Sequence, residues 1–248
     1  MYPPRWLALL LLLAAPPALA QADYAREQRW ADEITPAIVV GDPVWLAAAS
    51  GRKFLAIWTP APKAQAGVIV VHGLGVHPDW GLANTLRSRL AELGYSTLSV
   101  QMPVLMAEMR ADAYPPLFPE AAERLAVAVD FLRGKALKRV AVVSHSLGST
   151  MVNHYLNRAS DPRIDAWVSI GIPSGEYLRP ETFKAPVLDL YGEKDFAAVL
   201  GNAQKRAAAI RPVRGSAQVE VAGADHFFAG AESDLVKHVR LFLDRHLK

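Results

Sequence analysis

Cysteine is absent from the 248-residue chain, so disulfides, thiol catalysis and thiolate metal sites are excluded, and stability has to come from packing. The chain also lacks a polybasic block. Lys and Arg number 27 against 24 Asp and Glu, a formal net charge of +3 spread along the sequence, which leaves no electrostatic footprint for nucleic acid. There is no internal repeat, no low-complexity tract and no Pro- or Gly-rich linker. Outside the first twenty residues there is no long apolar run either, so no stable membrane insertion is expected.

Those first residues form a pattern of their own. Arg5 precedes an apolar run from Trp6 to Ala15, and small residues close it at Ala18-Leu19-Ala20. This is the layout of a secretory signal, with cleavage expected after Ala20. Pro16 and Pro17 interrupt the run before it reaches the ~20 residues of a spanning helix. The segment holds no cysteine for lipid attachment, so release is expected. Residues 21–248 then suit one α/β domain.

Along that domain the apolar periodicity alternates. Tyr24–Ile34 reads as a short polar helix or loop, and Val44–Ala48 and Lys53–Trp58 flank a hairpin turn at Ser50-Gly51. A continuous β-branched run follows at Gly67–Val71, with further strand candidates at Tyr95–Val100, Arg139–Val143, Ala166–Ile172, Pro186–Tyr191 and Gln218–Val221. Helical spacing separates them: Leu82, Leu86, Leu90 and Leu93 up to a stop at Gly94, then about Pro119–Arg133, Leu147–Arg158, Phe196–Ile210, and a last helix carrying Leu235 to Leu243. Doubly buried strands between helices predict a mostly parallel sheet with helices on both faces. The segment from Pro173 to Ala185 is too short for a large lid. In such sheets, chemistry is sought just after the strand ends.

After the 139–143 strand comes Ser144-His145-Ser146-Leu147-Gly148 and then a helix, the setting of a nucleophile elbow. Ser144 stands where glycine is commoner. A serine hydroxyl needs a base, and the base needs an orienting group. Asp195 follows the 186–191 strand and His226 follows the 218–221 strand, in the order Ser, Asp, His. Ser146 is therefore assigned as nucleophile, His226 as general base and Asp195 as the residue that orients it. The backbone N–H groups of Leu147 and of Leu74, in the His72-Gly73-Leu74-Gly75 loop, are the expected oxyanion donors. Gly73, His145, Met102 and Phe227 are the candidates for substrate contact.

Blander readings stand beside these. Ser146 could be a turn serine, and Asp195 a carboxylate capping the helix after it. Glu193 and Asp225 are the neighbouring acids. His72 is read as bracing its turn, and His154, His238 and His246 as surface residues. His77 and Asp79 lack clear metal-ligand spacing, and neither a metal nor a cofactor is expected. Met102, Met106 and Met109 suit an adaptable apolar wall.

Taken together, the motifs resemble the α/β-hydrolase superfamily over essentially the whole mature chain. HGLGVHPDW (72 to 80) with TLSVQMP (97 to 103) further resembles a proteobacterial family of exported, hydrolase-like proteins. The resemblance implies acyl hydrolysis at Ser146 on an ester, thioester or amide, and with the signal pattern it points to the periplasm, with release beyond the cell as the alternative. An open site and a small or extended polar substrate are expected. A non-catalytic binding or assembly protein, or an acyltransferase with the same triad, remains the alternative. Substrate identity and oligomeric state are not legible.

Overall fold

The computed structural model describes residues 21–174, 177 and 183–248. The signal pattern at 1–20 and most of the short 173–185 segment lie outside the described residues. The first element, α1 (Tyr24–Ile34), starts at Asp23, whose side chain accepts from the Arg26 N–H at 2.9 Å, and it buries Glu27, Ala31 and Ile34 along one face. An antiparallel hairpin follows, β1 (Asp42–Ala47) and β2 (Lys53–Thr59), turning through Gly51 at φ 80°. That left-handed conformation costs glycine nothing.

The alternating part runs β3 (Ala66–Val71), α2 (Leu82–Glu92), β4 (Ser96–Val100), α3 (Phe118–Gly134), β5 (Arg139–His145), α4 (Leu147–Leu156), β6 (Ala166–Ile170) and β7 (Val187–Lys194). It ends with α5 (Ala197–Gly201), α6 (Ala203–Ile210), β8 (Ala217–Asp225) and α7 (Glu232–Leu247). The eight strands form one sheet in the order β1-β2-β4-β3-β5-β6-β7-β8. β1, β2 and β4 pair antiparallel, and every pair from β4 to β8 is parallel.

Alternation within each strand divides the core. Ile69, Val71, Val140 and Val142 join Leu125, Val129 and Val152 of α3 and α4 on one face. Val68, Val70, Ala141 and Val143 join Leu86, Leu90, Val239 and Leu243 of α2 and α7 on the other. The result is a mostly parallel sheet covered on both sides, with no large lid among the described residues.

The expected strands and helices are present, with ends shifted by a residue or a few. One differs in kind: the helix expected over Phe196–Ile210 is two helices. Asn202 sits between them at φ −103°, ψ 0°, and its side-chain amide donates to the Ala198 carbonyl at 2.8 Å, ending α5.

Candidate active site

β5 delivers Ser146 at φ 54°, ψ −125°, with its N–H donating to the Ile170 carbonyl at 2.8 Å and α4 starting at the next residue. A non-glycine residue held at positive φ stores strain, and here it lifts the hydroxyl out of the turn. The elbow closes against the His72 backbone. A Cβ on Gly148 would stand 2.2 Å from the His72 carbonyl oxygen, so only glycine fits there. Ser144, two residues before the nucleophile, is fully buried and usefully polar: it accepts from Trp167 Nε1 at 2.8 Å and shares a hydrogen bond with Ser149 at 3.0 Å.

His226 Nε2 lies 2.9 Å from Ser146 Oγ, and its Nδ1 lies 2.6 Å from Asp195 Oδ1. A carboxylate can only accept, so Nδ1 carries the proton and Nε2 is free to take one from the serine. Asp195 Oδ1 also accepts from the Phe196 N–H at 2.7 Å. That bond runs only to the next residue and no side chain caps α5, so Asp195 is placed as the partner of His226 and not as a helix cap. Glu193 instead accepts from the Gly223 N–H, and Asp225 from the N–H groups of Phe227 and Ala229, which shapes the His226 loop. Room for the pair comes from Gly171 at the end of β6. At φ 56°, its missing Cβ would fall 3.1 Å from the His226 ring and 3.2 Å from Asp195 Oδ2.

Two further imidazoles are locked. His72 Nε2 accepts from the Met102 N–H at 2.9 Å and Nδ1 donates to the Gly73 carbonyl at 2.9 Å, bracing the loop after β3. Burial drives its pKa down to about 3. His145 Nε2 donates to the His226 carbonyl at 2.9 Å, and burial, then the neighbouring His226, lower its pKa to about 4. Both are neutral near pH 7.

Gly73 packs so closely that an added Cβ would lie 3.3 Å from Ser146 Cβ. Neither the Leu74 nor the Leu147 N–H donates to a protein acceptor among the described residues. The adjoining Gly75 carbonyl accepts from Arg26 Nη2 of α1 at 3.0 Å.

A cleft of about 610 Å³ opens over Ser146 and His226. Gly73, Leu74, His145 and Phe227 line it, as do Val76, Trp80, Leu82 and Phe196, which sequence reasoning did not single out. Phe196 stacks on His226 with ring centroids 4.0 Å apart. Its position directly after Asp195 was the available signal. Met102 is a correction: it is 1% exposed inside the core on the α3 and α4 side and does not line the cleft, because its backbone is pinned to His72. Met106 and Met109 are exposed and form no wall of it. The apolar lining also runs against the expected polar substrate. Asp79 is bound to Arg87, and His77 packs between Trp30 and Trp80. No group of three metal-ligating side chains occurs among the described residues. His154, His238 and His246 are partly buried, His154 against Phe118 and His246 against Phe242.

Fold and geometry define the class: an α/β-hydrolase fold carrying a hydrogen-bonded Ser-His-Asp site. The family model described as "Protein of unknown function (DUF3530)" matches residues 5–123, a span that includes the His72–Gly75 loop and stops short of Ser146. No curated protein matches the chain. Among solved structures it is similar to dienelactone hydrolase from Anabaena variabilis, at 20% identity over 83% of this chain and 97% of that one, with a TM-score of 0.65. It is similar to a serine hydrolase without lid from Xanthomonas campestris, at 16% identity over 84% and 95% with a TM-score of 0.61. An esterase from Pyrococcus furiosus aligns at 14% identity over 84% and 93% with a TM-score of 0.63. At these identities the likeness is one of fold.

Proposed function

We propose that the protein is a serine hydrolase that cleaves acyl bonds, esters foremost. The observation that carries this is the continuous relay from Ser146 Oγ through His226 to Asp195, at 2.9 and 2.6 Å, on an elbow at positive φ. Ser146 Oγ attacks the carbonyl carbon as its proton passes to His226 Nε2. The oxyanion takes the N–H groups of Leu74 and Leu147, and Asp195 steadies the imidazolium. Collapse expels the alcohol, which receives the proton from His226. Water, deprotonated by His226, then releases the acid and restores Ser146.

A binding protein that had lost the activity would have a base out of reach or a filled pocket. Here the base is in reach and the cleft is open, which supports the enzymatic reading. Transfer of the acyl group to another acceptor uses the same groups, and product analysis separates it from hydrolysis. We further propose that the chain belongs with exported, hydrolase-like proteins and acts in the periplasm after cleavage behind Ala20. The sequence of its first twenty residues supports this, and a mature N-terminus at Gln21, read by mass spectrometry of periplasmic protein, is the expected outcome.

The deciding experiment is fluorophosphonate labelling, which reports an activated serine without its substrate. Wild type should label; Ser146→Ala and His226→Ala should not. Asp195→Asn should slow labelling by on the order of 10⁴, since an amide can donate to Nδ1 and hold the imidazole in the wrong tautomer, with Nε2 protonated. A folded wild type that stays unlabelled ends the hydrolase reading.

A further inference from the structure

Resting on the serine hydrolase reading, we propose that the cleft beside Ser146 takes an uncharged apolar arm, acyl or alkyl, of a neutral ester, with Trp80 and Phe227 as walls that set the preference.

The cleft divides by polarity. Its hydrogen-bonding capacity is concentrated at the reacting end, at Ser146, His226 and the Leu74 N–H, with the N–H of Leu147 directly following Ser146 in the chain. The polar atoms of His72 are consumed by Gly73 and Met102, and His145 Nε2 by the His226 carbonyl. Among the described residues no Asp, Glu, Lys or Arg lines the cavity. A carboxylate, phosphate or ammonium carried into it would lose its hydration without gaining a partner. An ester has the matching shape: one polar group at the scissile bond and carbon beyond it.

The apolar walls are held open toward solvent. Leu74 is 39% exposed, Phe196 53%, and Trp80 and Phe227 59% each, a concentration of large apolar side chains around one mouth that marks a binding surface. Trp80 is fixed there. Its ring meets His77 edge-on at 5.8 Å, and His77 meets Trp30 of α1 at 5.6 Å. Burial lowers the His77 pKa, so that prop brings no positive charge to the wall. His72 and His145 are neutral as well, so none of these three imidazoles serves as counter-ion for an anionic arm.

The test uses the mature protein and two series of neutral esters, one lengthening the acyl chain and one the alcohol chain, alongside esters of equal length ending in a carboxylate. In the series whose arm enters the cleft, kcat/KM should rise roughly three- to fourfold per added methylene until the cleft is filled. The carboxylate-tipped analogues should fall at least a hundredfold below their neutral counterparts. Trp80→Ala should lower the ratio of long-chain to short-chain kcat/KM, and Trp80→Phe should recover part of it. Fluorophosphonate labelling is run on the same samples. A protein that labels but has no length dependence in either series, or accepts the carboxylate-tipped esters equally, overturns the apolar arm and leaves the hydrolase reading standing. A folded protein that does not label overturns both.

Discussion

Of the three imidazoles lining the cleft, His226 alone faces Ser146 Oγ with a free nitrogen, and the other two are structural groups with a thermodynamic cost. His72 and His145 have pKa values of about 3 and about 4 in the folded protein, against an ordinary 6.5. Below pH 6.5 the unfolded chain binds a proton at each that the folded chain refuses, so stability falls as pH falls. Their contribution is complete above pH 6.5. It declines by about 1.4 kcal/mol per pH unit for each imidazole as pH drops, until His145 protonates in the folded state near 4 and His72 near 3. Urea unfolding of wild type and His145→Gln at pH 7, 6 and 5 checks this. The variant, though weaker at pH 7, should lose less stability between pH 6 and 5, by about 1.4 kcal/mol. Parallel losses in the two proteins would refute the assignment.

At the scale of elements, α1 acts on a site it does not enter. Arg26 Nη1 donates to the Leu105 carbonyl at 2.7 Å and Nη2 to the Gly75 carbonyl at 3.0 Å, while its guanidinium lies 4.4 Å from the Trp30 ring. Gly75 directly follows Leu74, so Arg26 holds the loop that carries a proposed oxyanion donor. Loss of one such donor costs ~10²–10³ in kcat, and loosening it should cost less. Arg26→Met should lower kcat about tenfold with little change in KM, and Arg26→Lys should recover part of it; a rise in KM alone would argue against the brace. That role was not legible in the sequence. Tyr24–Ile34 reads as a polar helix, and a polar residue has the same identity whether solvated or turned onto a carbonyl. The Ser146, Asp195 and His226 positions were legible because each follows a strand pattern in a fixed order. Met102 misled because a methionine after a strand end fits core and pocket alike. The break between α5 and α6 escaped because the Asn202 side chain competes for a helix carbonyl only in three dimensions.

Across the whole molecule, three arginines at most 2% exposed repeat one device. Arg87 of α2 binds Asp79 and the Val40 carbonyl, Arg124 of α3 binds Glu27, Glu120 and the Gln101 carbonyl, and Arg206 of α6 binds Asp189 and the carbonyls of Ile172 and Val199. Asp79, Gln101 and Ile172 follow the ends of β3, β4 and β6, so each guanidinium ties a helix to a segment bordering the site. Arg206 and Asp189 are both fully buried, and burial raises the Asp189 carboxyl pKa while Arg206 opposes that rise. Removing the cation leaves a buried carboxylate whose only escape is to take a proton, and such losses run to about 3–5 kcal/mol. Arg206→Met should therefore destabilise by about that amount in urea unfolding at pH 8. The deficit should shrink at pH 5, because a carboxyl with its folded pKa raised binds a proton that the unfolded chain releases, and stability then falls as pH rises. Neutralising the partner as well, in Asp189→Asn/Arg206→Met, should recover part of the stability and flatten the pH dependence. A double variant that keeps the full pH-dependent deficit would place the cost in the lost Ile172 and Val199 tethers and not in the stranded charge.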